Sequence, residues 1–217
     1  MIAIATIFDI GARQLATAGH VYLIDDDSDI RTHLGALLRL LGYDVRTFAD
    51  ATAFVELDML EYPAVVILDM CMPGMGGLQV QRKLLEAGHP VAIVYLSGNS
   101  ERQDIIDAMK AGAIDFLWKP VSRETLSAAV AEAMAKSLAA TSRFAQQAKL
   151  RAGLGHLSTR EREVFTMMVS GLANRQIATR LGVQADTVKK HRKVICEKFM
   201  VHDTSELIAL SHQTSAD

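Results

Sequence analysis

From His20 onward the chain repeats one short pattern, and that pattern limits the fold more than any single residue does. Apolar runs with β-branched content recur at Val21–Ile24, Val45–Phe48, Ala64–Leu68, Val91–Leu96 and Ile114–Leu117. Between them apolar residues return at helical spacing: Ile30, Leu34, Leu37, Leu38 and Leu41, then Leu78, Val80, Leu84 and Leu85, then Ile105, Ile106 and Met109. These stretches close on Gly42, Gly88 and Gly112, where a left-handed terminating residue belongs. A further helix is expected from about Ser122 through Leu126, Val130, Met134 and Leu138. Strands that alternate with helices build a parallel sheet covered on both faces. The expectation for residues 20–138 is a doubly wound α/β domain of five strands.

The remainder reads as helix throughout. Ser158 with Glu161 three residues on is a capping box, opening a helix that buries Val164, Phe165, Met168, Val169 and Leu172 and stops at Gly171. Asn174 is expected to cap a short helix with Ile177, Ala178 and Leu181 inward, ended by Gly182. A third helix opens at Gln184 or Asp186 and buries Val188, Ile195 and Phe199; a fourth starts at Ser205 and carries Leu207 and Leu210. Two short helices joined by a tight glycine turn make a helix-turn-helix. Residues 139–155 extend the preceding helix or form a loose linker, with Gly153 and Gly155 marking a break. The expected divisions are an extension at 1–19, an α/β domain at 20–138, a connection at 139–155 and a smaller all-α domain at 156–217.

Charge separates the same two parts. Residues 1–140 carry 11 Lys and Arg against 18 Asp and Glu, a net of −7; residues 141–217 carry 12 against 7, a net of +5. A basic end on an acidic chain points to a polyanionic partner, with a solvated basic surface as the plainer alternative. Half of the 217 residues are apolar, enough for a real core, which excludes a disordered chain. Cys71 and Cys196 have no CxxC partner, which argues against a zinc ribbon or disulfide scaffold; both are expected as small buried or neutral thiols in a reducing cytosol. The apolar stretch at Met1–Ile10 has no basic residue before it, is interrupted by Asp9 and is followed by Arg13, so neither a signal peptide nor a membrane span is expected there. No later stretch reaches ~18 uncharged apolar residues. A cytoplasmic protein without membrane contact is the expectation.

In a parallel sheet the C-terminal strand ends meet along one edge, and ligands bind there. Asp25, Asp26 and Asp27 follow strand one, Asp69 ends strand three, Ser97 ends strand four, and Lys119-Pro120 follows strand five. Gathered carboxylates raise one another's pKa unless a cation sits among them, and all-oxygen ligation suits Mg²⁺ or Mn²⁺. A carboxylate can attack a phosphoryl group to form an acyl phosphate, with Lys119 and the Ser97 hydroxyl on the phosphoryl oxygens. Singly, these residues also read as a helix cap cluster, a turn hydroxyl and a surface charge. A flavin phosphate on the same fold would want an uncharged loop where three aspartates stand; a Mg²⁺-dependent phosphatase would turn over ordinary phosphate esters.

The segments Val21–Asp27 (VYLIDDD), Leu68–Gly77 (LDMCMPGMGG), Leu96–Gly98 (LSG) and Asp115–Pro120 (DFLWKP) resemble the receiver domain of bacterial two-component response regulators. The resemblance implies strand order 2-1-3-4-5 and Asp69 as phosphoacceptor. It implies Asp25, Asp26, Asp69 and the Cys71 backbone carbonyl as Mg²⁺ ligands, Ser97 and Lys119 as the phosphate-binding switch pair, and Phe116 as the aromatic that rotates. A cis peptide at Lys119-Pro120 goes with it, X–Pro being the common site for one. Against that family Ser97 stands where threonine is commoner but keeps the hydroxyl, and the resemblance implies that Cys71 and Asn99 occupy positions that tune dephosphorylation, which leaves the phosphate lifetime open.

On the third C-terminal helix Lys189, Lys190 and Lys193 lie opposite Val188, Ile195 and Phe199. A cationic helix face fits the major groove. Leu157–Val164, Gly171–Ala178 and Leu181–His191 resemble the LuxR-type helix-turn-helix, the combination found in NarL/FixJ-type regulators. That likeness implies Ala185–Met200 as recognition helix, with Lys189, Lys190 and Lys193 toward bases and Thr187, His191 and Arg192 near the backbone. It implies a transcription regulator, not an enzyme beyond its own phosphorylation and dephosphorylation. Its partners would be a sensor histidine kinase, promoter DNA, RNA polymerase and, on activation, a second copy through the fourth helix.

Overall fold

The computed structural model describes residues 18–213; the apolar stretch at Met1–Ile10 lies outside them. Among the described residues five strands and nine helices follow in order: β1 (His20–Ile24), α1 (Ser28–Leu40), β2 (Asp44–Phe48), α2 (Ala51–Val55), β3 (Ala64–Asp69), α3 (Gly77–Glu86), β4 (Ala92–Ser97), α4 (Arg102–Lys110), β5 (Asp115–Trp118), α5 (Arg123–Gly155), α6 (Thr159–Val169), α7 (Asn174–Leu181), α8 (Ala185–Lys198) and α9 (Thr204–Gln213). The strands form one parallel sheet in the order β2-β1-β3-β4-β5. Contacts divide the chain into two compact units, Met1–Ser142 and Arg143–Asp217.

In the first unit the strands obey period two on each face. Tyr22, Ile24, Val66, Leu68, Ile93 and Tyr95 face one core with Phe54, Val80, Leu84 and Ala108, from α2, α3 and α4. Val21, Leu23, Val65, Ile67, Val94 and Leu96 face the other, against Leu38 of α1 and Leu126, Val130 and Met134 of α5. Buried polar groups are paired: the Tyr95 hydroxyl lies 2.9 Å from Gln81 Oε1, and Gln81 Nε2 donates to the Ala108 carbonyl. Ser137 Oγ accepts from the Ala64 N–H and donates to the Pro90 carbonyl, joining α5 to the starts of β3 and β4.

Several expectations need correction. α2 escaped the sequence pattern; five residues capped by Asp50 are too short to show a period. Leu85, Ile106 and Met109 point outward, while Ala108 is what α4 buries. Gly153 does not break the chain, because α5 runs through it; the break comes at Gly155, the last residue of the helix. At Gly153 a Cβ would lie 2.3 Å from the Phe199 ring, so the glycine admits that ring, which stacks on Phe165 at 5.2 Å.

In the second unit the capping box on α6 forms as expected. Its Glu161 Oε2 also meets Lys198 Nζ at 2.6 Å, and these contacts hold the carboxyl down at about 2 from an ordinary 4.5, Lys198 contributing most and the Ser158 N–H next. A depressed folded-state pKa stabilises above the unfolded value and stops doing so as pH falls through the folded one. Glu161→Gln keeps an acceptor for Ser158 but loses the charge. Denaturant unfolding should show a wild-type advantage that is constant above pH 4.5 and closes toward pH 2; an advantage independent of pH would contradict the pairing.

Candidate phosphoryl site and nucleic-acid interface

Parallel pairing brings the ends of β1, β3, β4 and β5 side by side. Ile24 pairs with Leu68, Asp69 with Leu96, and Ser97 with Trp118. The next residues along β1 and β5, Asp25 and Lys119, therefore share a rim with Asp69 and Ser97. Asp25 is fully buried and Asp69 nearly so, whereas Asp26 is exposed. Lys119 Nζ bridges the first two, 2.7 Å from Asp25 Oδ2 and 2.8 Å from Asp69 Oδ2. Asp69 Oδ1 accepts from the Cys71 N–H at 3.1 Å, and Asp25 Oδ1 from the Asp27 N–H at 3.0 Å.

The electrostatics follow from that geometry. Burial pushes the Asp25 carboxyl above the usual range; the Lys119 contact opposes this without cancelling it. Burial alone would depress Lys119, but the Asp25 and Asp69 carboxylates outweigh it and hold the ammonium above its ordinary value. Ligand oxygens of Asp25, Asp26 and Asp69 lie within 4.8 Å of one another. Three carboxylates against one ammonium leave an excess of negative charge, and an all-oxygen donor set with one exposed member fits a hard divalent cation that keeps some of its waters.

Asp27 is not part of this group. Its side chain accepts from the Asp29 and Ile30 N–H groups as the cap of α1, so the helix-cap reading holds for the third aspartate alone. Cys71 is exposed rather than buried, its Sγ donating to the Asn99 carbonyl at 3.0 Å; Cys196 is buried, and burial raises its pKa. Ser97 is fully buried, and the Lys119-Pro120 peptide is cis. Phe116 is half-buried against the α2–α4 core, 5.1 Å and edge-on from the single, half-exposed Trp118. Two partners were missed in the sequence: Arg31, whose Nη1 donates to the Asp25 carbonyl at 2.7 Å, and Ser100, whose hydroxyl reaches Ser97. The only available signal was spacing, one turn along α1 from Asp27 and three residues after Ser97.

In the second unit Gly182 takes the left-handed conformation (φ 65°) that turns α7 into α8. Asn174 does not cap α7: Ala173 holds that position, and Asn174 Oδ1 instead accepts from Arg192 Nη1 at 2.7 Å. α8 opens at Gln184 and buries Val188, Ile195 and Cys196, with Phe199 at its end. Lys189, Lys190 and Lys193 are exposed; Thr187, His191 and Arg192 are half-buried beside them. Asp186 and Glu197 share the exposed side, and Lys193 Nζ lies 3.9 Å from Glu197 Oε1. No helix among the described residues is long and apolar enough to cross a membrane.

Residues 21–131 match the family model of the response regulator receiver domain, and residues 155–211 that of the bacterial regulatory proteins of the luxR family. The response regulator protein TmoT of Ectopseudomonas mendocina is 35% identical over 193 residues, 89% of this chain and 88% of that protein. The transcriptional regulatory protein FixJ of Bradyrhizobium diazoefficiens is 33% identical over 198 residues, 91% of this chain and 96% of its own length. Among solved structures, the response regulator StyR superposes with a TM-score of 0.75 at 34% identity, covering 89% of this chain and 98% of StyR. Full-length FixJ does so at 0.53 and 31%, covering 92% and 98%.

Proposed function

Because the chain belongs to the two-component response regulators that join a receiver domain to a LuxR-type DNA-binding domain, we propose that phosphorylation of Asp69 by a sensor histidine kinase controls its binding to promoter DNA. The carrying observation is the Lys119 ammonium shared between Asp25 and Asp69 at the C-terminal edge of the sheet. An Asp69 carboxylate oxygen attacks phosphorus, the bond to the donor's histidine nitrogen breaks, and an acyl phosphate forms on Asp69. Lys119 takes up the charge gathering on the phosphoryl oxygens, and the Ser97 hydroxyl donates to one of them. Asp25, Asp26, Asp69 and the Cys71 carbonyl are the residues that would hold Mg²⁺ or Mn²⁺. When bound, the cation offsets the repulsion between the carboxylate and the incoming phosphoryl group.

Phe116 turns toward the pocket once Ser97 is engaged, and the altered face supports a homodimer. Two copies of α8 then meet the major groove one helical turn apart, ~34 Å. Lys189, Lys190 and Lys193 face the bases; Thr187, His191 and Arg192 approach the phosphates, Arg192 from its seat on Asn174. RNA polymerase is the further partner of such a regulator, and the cytoplasm its site of action. The domain limits we adopt are 20–138 and 156–217, with 1–19 and 139–155 outside them.

Intact mass after incubation with acetyl phosphate and Mg²⁺ tests the reading. One phosphoryl group should appear on the wild type and none on Asp69→Asn. A wild type that stays unmodified while a control receiver reacts would refute it.

A further inference from the structure

The Ser97 side chain is fully buried, and its hydroxyl is engaged in an uneven way. A serine hydroxyl has two acceptor lone pairs and one proton. Both acceptor places are taken from the loop that follows β4: the Asn99 N–H donates to Ser97 Oγ at 3.2 Å, and the Ser100 hydroxyl at 2.5 Å. Among the described residues the Ser97 proton has no acceptor. The loop itself is tied across to the end of β3, since Cys71 Sγ donates to the Asn99 carbonyl at 3.0 Å and lies 3.9 Å from Ser100 Oγ. A hydroxyl whose lone pairs are filled can only donate, and each bond it accepts polarises its own O–H further. Phosphoryl oxygens are acceptors only, so the pocket needs a donor at this point.

We propose that Ser100 is a positioning residue for the phosphoryl site, acting through Ser97 by occupying its acceptor side and so committing its proton to an incoming phosphoryl oxygen. By this inference Ser100 acts on neither Asp69 nor the transferred group directly; its effect passes through the Ser97 hydroxyl that it bonds. The inference rests on the reading of Asp69 as phosphoacceptor.

The test is the initial rate of phosphate incorporation from acetyl phosphate with Mg²⁺, followed by intact mass on the full chain. Ser100→Ala should slow it about fivefold, the scale of one neutral hydrogen bond. Ser100→Thr, which keeps the hydroxyl, should restore most of the rate. In a Ser97→Ala background Ser100→Ala should cost nothing more, because two residues acting through one group are not additive. Thermal unfolding of Ser100→Ala should match the wild type, separating positioning from loop stability. An unchanged or faster Ser100→Ala, or an equal slowing in the Ser97→Ala background, overturns the inference while the phosphoacceptor reading stands. A wild type that takes up no phosphate overturns both.

Discussion

Replacing Lys189, Lys190 and Lys193 together by alanine should lower affinity for promoter DNA by about two to three orders of magnitude at moderate salt and flatten its salt dependence, without unfolding the C-terminal unit. Each lysine facing the bases also brings a positive charge into the field of the phosphates, and each such charge adds up to about 0.9 to the slope of log K against log salt, so the slope should fall by up to about three per bound copy. A lysine that donates to a guanine edge takes ~1–3 kcal/mol of discrimination with it, so promoter and random DNA should also converge. The fold should survive because all three side chains are exposed. Among the described residues their one charged partner is Glu197, an exposed contact of 3.9 Å to Lys193 that contributes little. Val188, Ile195, Cys196 and Phe199, which hold α8 in place, are untouched. Asp186 and Glu197 on the same exposed side set a second comparison: neutralising Glu197 should strengthen binding to any duplex. Fluorescence anisotropy across a salt series reads all of this, and a triple variant with wild-type slope and affinity would remove α8 from the interface.

The parts legible in the sequence were those whose physics is local or periodic. Five runs of β-branched residues separated by glycine-terminated helices are enough for a parallel sheet, and the strand ends then bring Asp25, Asp69, Ser97 and Lys119 to one edge with no further information. The capping box at Ser158 and Glu161 was likewise a matter of spacing. What escaped depends on geometry that spacing does not carry. Asp25, Asp26 and Asp27 are equivalent as letters, yet one is buried on Lys119, one is exposed, and one caps a helix. Asn174 is a good cap residue, but an arginine eighteen places on competes for its oxygen. Gly153 looks like a helix breaker because glycine usually costs ~1 kcal/mol in a helix. The ring of Phe199, far along the chain, makes the missing Cβ a requirement instead. Ile106 and Met109 sit at helical spacing and still face outward, since α4 lies on the sheet through the small Ala108.

Lys119→Ala should have the largest effect on the receiver unit, and the effect should depend on divalent ions. The ammonium is the common counter-charge of two buried carboxylates, with 16% of its own side chain exposed, against 0% for Asp25 and 8% for Asp69. Removing one partner of such a group leaves charge buried without compensation, which costs ~3–5 kcal/mol. In chelator the variant should therefore unfold well below the wild type. Added Mg²⁺ should recover more stability in the variant than in the wild type, because a ligand that binds only the folded state stabilises it more the tighter it binds. In Lys119→Ala an added ion would meet a site from which a competing cation has gone. Stability and chemistry then part company. Restored folding would not restore a donor aimed at the phosphoryl oxygens, so phosphate incorporation from acetyl phosphate should stay about 100-fold or more below wild type even at saturating Mg²⁺. Unfolding midpoints in chelator and in Mg²⁺, set beside the intact-mass rate, separate the two roles. If Mg²⁺ stabilises wild type and variant equally, Lys119 is not competing with a cation at Asp25 and Asp69; if the rate recovers with the fold, its charge has no part in the transfer.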